Sequence, residues 1–115
     1  MPDDAMELLQ GTLEVLVLRA LAGEPMHGYG IAHWLRSRTD EALDIQDAAL
    51  YQALRRMEKK GWVEAKWGVT ENNRRARYYA LTPGGRMQLR REMASWQRYA
   101  EAMFKALAPA PGESL

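Results

Sequence analysis

The chain has 115 residues, enough for one domain with at most an appended element, and its formal net charge is only +1. It contains no cysteine, which excludes disulfides and thiolate metal sites and makes the cytoplasm the expected compartment. It has no apolar run of about 18 residues to span a bilayer, and its start, MPDDAMELLQ, lacks the basic flank and apolar stretch of a secretory signal, so no membrane partner is expected.

Residues 1–7 are polar and expected to fray. From Leu8 to Ala22, apolar residues at 13, 16, 17, 20 and 21 predict an amphipathic helix that Gly23-Glu24-Pro25 ends. A second helix, from about Met26 to Arg38, would bury Ile31, Trp34 and Leu35. Its opening, MHGYG, carries Gly28 and Gly30, each costing about 1 kcal/mol against alanine inside a helix. Such glycines point to the close approach of another backbone, with the first helix as the expected neighbour. Thr39 to Gln46 form a polar connection anchored by Leu43 and Ile45, and Ile45 is expected to pair as a short edge strand with a later hairpin.

A third helix starts at Gln46 or Asp47, aspartate being a good N-cap. Within it Leu50, Leu54 and Met57 recur at helical spacing and face a core, which leaves Tyr51, Gln52, Arg55, Lys59 and, less squarely, Arg56 on the outward side. Gly61, after Lys59-Lys60, stops this helix. Val63, Ala65 and Trp67 then alternate with Glu64 and Lys66, and Tyr79 and Leu81 alternate with Tyr78 and Ala80, so two strands flank the loop GVTENNRRA. Asn72-Asn73 tolerates the left-handed backbone that such a loop needs. Trp34 and Trp62 read as core residues.

Thr82 caps a last helix, with Pro83 fitting its first turn. Leu89, Met93, Trp96, Ala100, Met103 and Leu107 recur along it at alternating steps of four and three, an a/d seam of nearly three heptads. The helix ends before Pro109, and APAPGESL reads as a disordered tail. The pattern is therefore mainly α with a small β-hairpin. It predicts a winged helix-turn-helix over residues 1–82, a C-terminal dimerisation helix over 83–108 and a tail over 109–115.

Charge distribution gives that fold a use. Residues 1–45 hold 3 basic and 8 acidic side chains, residues 46–90 hold 10 and 4, and residues 91–115 hold 3 and 3. The positive potential thus sits on the third helix and the hairpin, the footprint of a duplex DNA binder. The two histidines, His27 and His33, are six apart and read as lying on different faces; no phosphate loop, metal-ligand cluster or nucleophile motif accompanies them. An enzyme is not expected, nor a metal or other cofactor. A single helix at the end of a complete domain cannot bury its whole seam at home. Part of the seam would pack on the first helix and the rest on a second copy, at Leu89, Met93, Trp96, Ala100, Met103 and Leu107.

The strings Gly11-Thr12-Leu13, MHGYGIA at 26–32, Leu50-Tyr51-Gln52-Ala53-Leu54, Met57-Glu58, Gly61-Trp62, Glu71 to Tyr79 and Leu81-Thr82 resemble the PadR family of bacterial transcriptional regulators, in its short form with one C-terminal helix. The resemblance covers roughly residues 7–107. It implies a homodimeric repressor with a three-helix winged core. The family's usual Gly-Ser before the Leu-Tyr pair is Ala48-Ala49 here, so the serine's phosphate contact is lost at position 49.

Docked on DNA, the third helix would enter the major groove. Tyr51 would bond a phosphate, Gln52 an adenine edge and Arg55 a guanine edge, with Arg56 and Lys59 on the backbone. Arg74 would enter the minor groove, with Lys66, Arg75 and Arg77 on flanking phosphates. Two copies of Trp96 facing across the dimer axis would sandwich a small aromatic effector; the competing reading is that Trp96 only fills the dimer core. The rival to DNA binding is a winged-helix protein-interaction module whose basic face meets an acidic partner.

Overall fold

The computed structural model describes residues 5–115. In chain order it places β1 (Met6–Glu7), α1 (Leu13–Leu21), β2 (Met26–His27), α2 (Gly28–Arg38), β3 (Leu43–Asp44), α3 (Asp47–Lys59), β4 (Val63–Val69), β5 (Arg75–Leu81) and α4 (Pro83–Leu107). The first three helices enclose a core in which Leu18, Leu21, Ile31, Leu35, Leu50 and Leu54 are fully buried. One sheet has the antiparallel order β2-β5-β4, and β1 pairs with β3 in a separate two-stranded parallel ribbon.

Several boundaries differ from the sequence expectation, each for a local reason. Residues 1–4 of the expected frayed start lie outside the described residues. Met6 and Glu7 do not fray but pair with Leu43 and Asp44. The first helix begins at Leu13 rather than Leu8, because Gly11 takes a left-handed φ of 84° and Thr12 Oγ1 donates back to the Leu9 carbonyl. Ile45 does not join the hairpin. It is buried, and its carbonyl accepts a hydrogen bond from Arg36 Nη2 at 2.8 Å. The third strand of the hairpin sheet is instead Met26–His27, paired with Tyr79 and Tyr78, so the second helix opens at Gly28.

Helix α3 starts from Gln46 in an extended conformation with no side-chain cap, and Asp47 sits in the first turn. Its other end is a complete Schellman motif. The Gly61 N–H donates to the Glu58 carbonyl, the Trp62 N–H donates to the Met57 carbonyl, and Gly61 adopts a φ of 78°. Helix α4 opens as the sequence predicts: Thr82 is the N-cap, its hydroxyl accepts from the Gly85 N–H at 3.0 Å, and Pro83 occupies the first turn. The seam of α4 divides along its length. Leu89 is buried and Trp96 is packed against the core, whereas Met103 and Leu107 remain 42 % and 64 % exposed. Beyond Leu107 the chain is exposed and makes one turn, in which Glu113 Oε1 accepts from the Ala110 N–H.

Candidate nucleic-acid interface

The outward side of α3 carries Tyr51, Gln52, Arg55, Arg56 and Lys59, all exposed, while Leu50, Leu54 and Met57 on the opposite side are buried. Helical periodicity alone produces this division. The β4–β5 hairpin projects beside it with Val63 opposite Leu81, Ala65 opposite Tyr79, Trp67 opposite Arg77 and Val69 opposite Arg75. At its tip the Thr70 N–H donates to the Arg74 carbonyl and the Asn73 N–H to the Thr70 carbonyl, with Asn73 at a φ of 59°. This turn leaves Arg74 exposed.

An open cleft of about 1390 Å³ lies between the start of α2, the start of α3 and the hairpin. Of the residues expected on DNA, it brings together Tyr51, Arg55, Arg74, Arg75 and Arg77; Gln52, Arg56, Lys59 and Lys66 lie outside its lining. Arg56 turns toward α1, where its Nε donates to Glu14 Oε2 at 2.9 Å and Lys60 Nζ approaches the other carboxylate oxygen at 3.6 Å. Arg77 is held by Glu58 at 3.0 Å and lies over the Tyr79 ring. Such exposed pairs stabilise by less than about 1 kcal/mol, so they orient these arginines without locking them away. Burial pushes the Tyr79 phenol above its ordinary value, against the pull of Arg77.

The glycine opening of α2 serves this site rather than α1. A Cβ on Gly28 would lie 2.5 Å from the Tyr51 hydroxyl oxygen, so the missing side chain is a notch that seats the Tyr51 ring. At Gly30 a Cβ would meet only ordinary contacts, the nearest at 3.5 Å from His27. His27 is not inside a helix but caps one, its Nδ1 accepting from the Gly30 N–H at 3.0 Å. The two histidines do not point apart, because the Tyr29 ring stacks with His27 at 6.3 Å and with His33 at 6.4 Å, and all three line the cleft. Helical spacing failed to bring them together because His27 lies in an extended residue before the first turn.

Trp67 follows the predicted alternation but not the burial that alternation implies. It shares a face with Val63 and Ala65, yet it is 63 % exposed. The Arg75 guanidinium covers its ring at 4.7 Å. Trp34 and Trp62 are partly buried against the core, each with a cation over the ring.

Away from the cleft, an apolar groove of about 560 Å³ runs between Leu8, Leu9, Val15 and Leu16 on one side and Met93 and Trp96 of α4 on the other. Among the described residues, no helix is long and apolar enough to cross a membrane.

Solved structures share this arrangement. A transcriptional regulator from Clostridium thermocellum is 28% identical, with a TM-score of 0.78 over 86% of this chain and 93% of that one. A PadR-family transcriptional regulator from Eggerthella lenta is 31% identical, with a TM-score of 0.70 over 88% of this chain and 86% of its own. Bacillus subtilis PadR, solved with operator DNA, shares the fold at 17% identity and a TM-score of 0.64, over 71% of this chain and 46% of that protein. The family model described as the transcriptional regulator PadR-like family matches residues 17–91. With all but the start of its winged three-helix core inside that match, the chain belongs to the PadR-like family of transcriptional regulators.

Proposed function

We propose that this chain is a sequence-specific DNA-binding regulator, a repressor that holds a palindromic operator as a homodimer. The observation that carries the reading is the convergence of Tyr51, Arg55, Arg74, Arg75 and Arg77 on one cleft between α3 and the hairpin, in a chain of nearly zero net charge. Bacillus subtilis PadR, which shares the fold and was solved with operator DNA, supports placing this surface on a duplex. In this reading α3 lies in the major groove with Gln52 and Arg55 toward base edges and Tyr51 and Lys59 toward phosphate. The wing crosses the adjacent minor groove with Arg74 leading and Lys66, Arg75 and Arg77 on phosphates. Arg56 serves the backbone only after leaving Glu14. No serine hydroxyl stands at position 49, and the exposed Ala49 offers a phosphate none of its own.

Sequencing of genomic fragments retained by the purified protein, followed by mobility shifts on the enriched sequence, tests this. Retention of one palindromic class over competitor DNA is the expected result. Binding no better than to heparin would leave only a protein-interaction module. Arg74→Ala is expected to weaken binding to all sequences and to lower the slope of log affinity against log salt, because one cation fewer displaces counterions from the duplex. Gln52→Ala and Arg55→Ala are instead expected to relax discrimination at single base pairs, by about 1–3 kcal/mol each.

We further propose that Met93 and Trp96 receive a small aromatic effector. The apolar groove they line beside α1 is of the size that small ligands occupy and lies on the helix that pairs the copies in this reading. Planar aromatic compounds are expected to quench tryptophan fluorescence, and Trp96→Ala to abolish that quenching. A broad panel that leaves the fluorescence unchanged removes the effector from the proposal.

A further inference from the structure

Trp67 is the one large aromatic on the wing whose exposure the fold does not explain. Val63 and Tyr79 on the same sheet face are buried, but nearer the tip Trp67 is 63 % exposed and Val69 61 % exposed. An indole left in water on a projecting hairpin forgoes the burial that aromatic side chains usually obtain. Its surroundings are also specific. Arg75 lies over the ring at 4.7 Å, Arg77 is its cross-strand partner, and all three open on the same cleft as Tyr51 and Arg55. The patch is therefore an apolar surface framed by cations and continuous with the proposed duplex-binding face.

We propose that Trp67 is itself a duplex contact: its free ring surface packs on the deoxyribose wall of the minor groove that the wing arginines approach, while Arg75, stacked on the ring, bonds a flanking phosphate. The occupant is argued from charge and shape. A polyanion with apolar sugar edges between its phosphates complements an indole set among guanidiniums, and apolar side chains are a recurring minor-groove contact. A guanidinium stacked on an aromatic face keeps its in-plane N–H donors free, so the ring orients Arg75 without using its hydrogen bonds. The contact would be sequence-independent and uncharged. It would add affinity on every duplex and leave the salt dependence where the arginines set it.

This inference rests on the DNA-binding reading above, and the experiment separates the two. The full chain is labelled with 5-fluorotryptophan, and the fluorine resonance missing from Trp67→Phe assigns Trp67 among the four tryptophans. Adding the enriched duplex is expected to shift that resonance and to remove its sensitivity to exchange of water for heavy water. Trp67→Ala is expected to lower affinity at least about 10-fold on specific and non-specific duplexes alike, with an unchanged salt slope, and Trp67→Phe to restore part of it. In an Arg75→Ala background, Trp67→Ala should still weaken binding several-fold. If it has no effect there, the ring acts only by holding Arg75 and the sugar contact is wrong. A bound duplex that leaves the Trp67 resonance unmoved and solvent-exposed overturns this inference alone, whereas a chain that binds no duplex overturns both readings.

Discussion

Gly85→Ala is expected to destabilise the fold by at least about 3 kcal/mol, lowering the midpoint of thermal unfolding by ~12 °C or more. Gly85 is a buried residue in the first turn of α4, where helix propensity alone would favour alanine by about 1 kcal/mol. Space reverses the sign. A Cβ at this position would lie 2.0 Å from the Trp62 carbonyl oxygen and 3.2 Å from Leu81 Cδ2. The Trp62 carbonyl cannot retreat, because it accepts the Thr82 N–H at 3.1 Å where the register of β4 on β5 ends, and its neighbour Val63 is fixed opposite Leu81. The new methyl must therefore push the start of α4 off the sheet and break the cap from Thr82 to Gly85. Gly84→Ala is the matched control. Its Cβ would find only ordinary contacts, the nearest 3.7 Å from the Gly61 carbonyl oxygen, so it is expected to be neutral or to stabilise by up to about 1 kcal/mol. Equal midpoints for the two variants, read by circular dichroism, would show that α4 is not anchored through this contact.

Features set by period and by strong local signals were legible in the sequence, and features set by what lies across a gap were not. The buried face of α3, the Thr82-Pro83 helix start and the Gly61 stop all rest on residues within one or two turns of one another. The misplaced partners are the long-range ones. Gly28 announces close packing, but nothing in MHGYG says that a tyrosine of α3 fills the notch rather than the backbone of α1. Met26–His27 is too short for a strand period, so its pairing with β5 is visible only in three dimensions, as is the pairing of Met6–Glu7 with Leu43–Asp44. Trp67 illustrates the converse. Alternation puts it on one face with Val63 and Ala65, but period says nothing of whether another element covers that face as far as Trp67. The basic residues of the candidate face are picked out in the sequence by charge segregation, which cannot say that Glu14 draws Arg56 toward α1.

Met103→Glu combined with Leu107→Glu is expected to halve the sedimenting mass and to weaken operator binding by about 10²–10⁴-fold, because in the proposed dimer each copy holds the other on the duplex. Both side chains lie on the part of the seam that the parent domain leaves open, at 42 % and 64 % exposure, so the intrinsic stability of the isolated protomer should change by no more than about 0.5 kcal/mol. The seam is not the only apolar surface there: Phe104 is 74 % exposed beside it, which widens the stripe beyond what a solvated helix end requires. Burying a leucine or methionine yields about 1.5–3 kcal/mol, and twofold pairing doubles each contribution, so charges at two seam positions remove a large part of the association energy. They would also place four carboxylates face to face across the axis. If sedimentation finds the parent chain at twice 13.1 kDa and the variant at that single mass, with both still cooperative in thermal unfolding, the seam joins two copies. If parent and variant sediment alike and bind the same fragment equally, the exposed half of α4 has some other partner, and the wing must hold DNA as a single copy without the second half-site that a palindrome would supply.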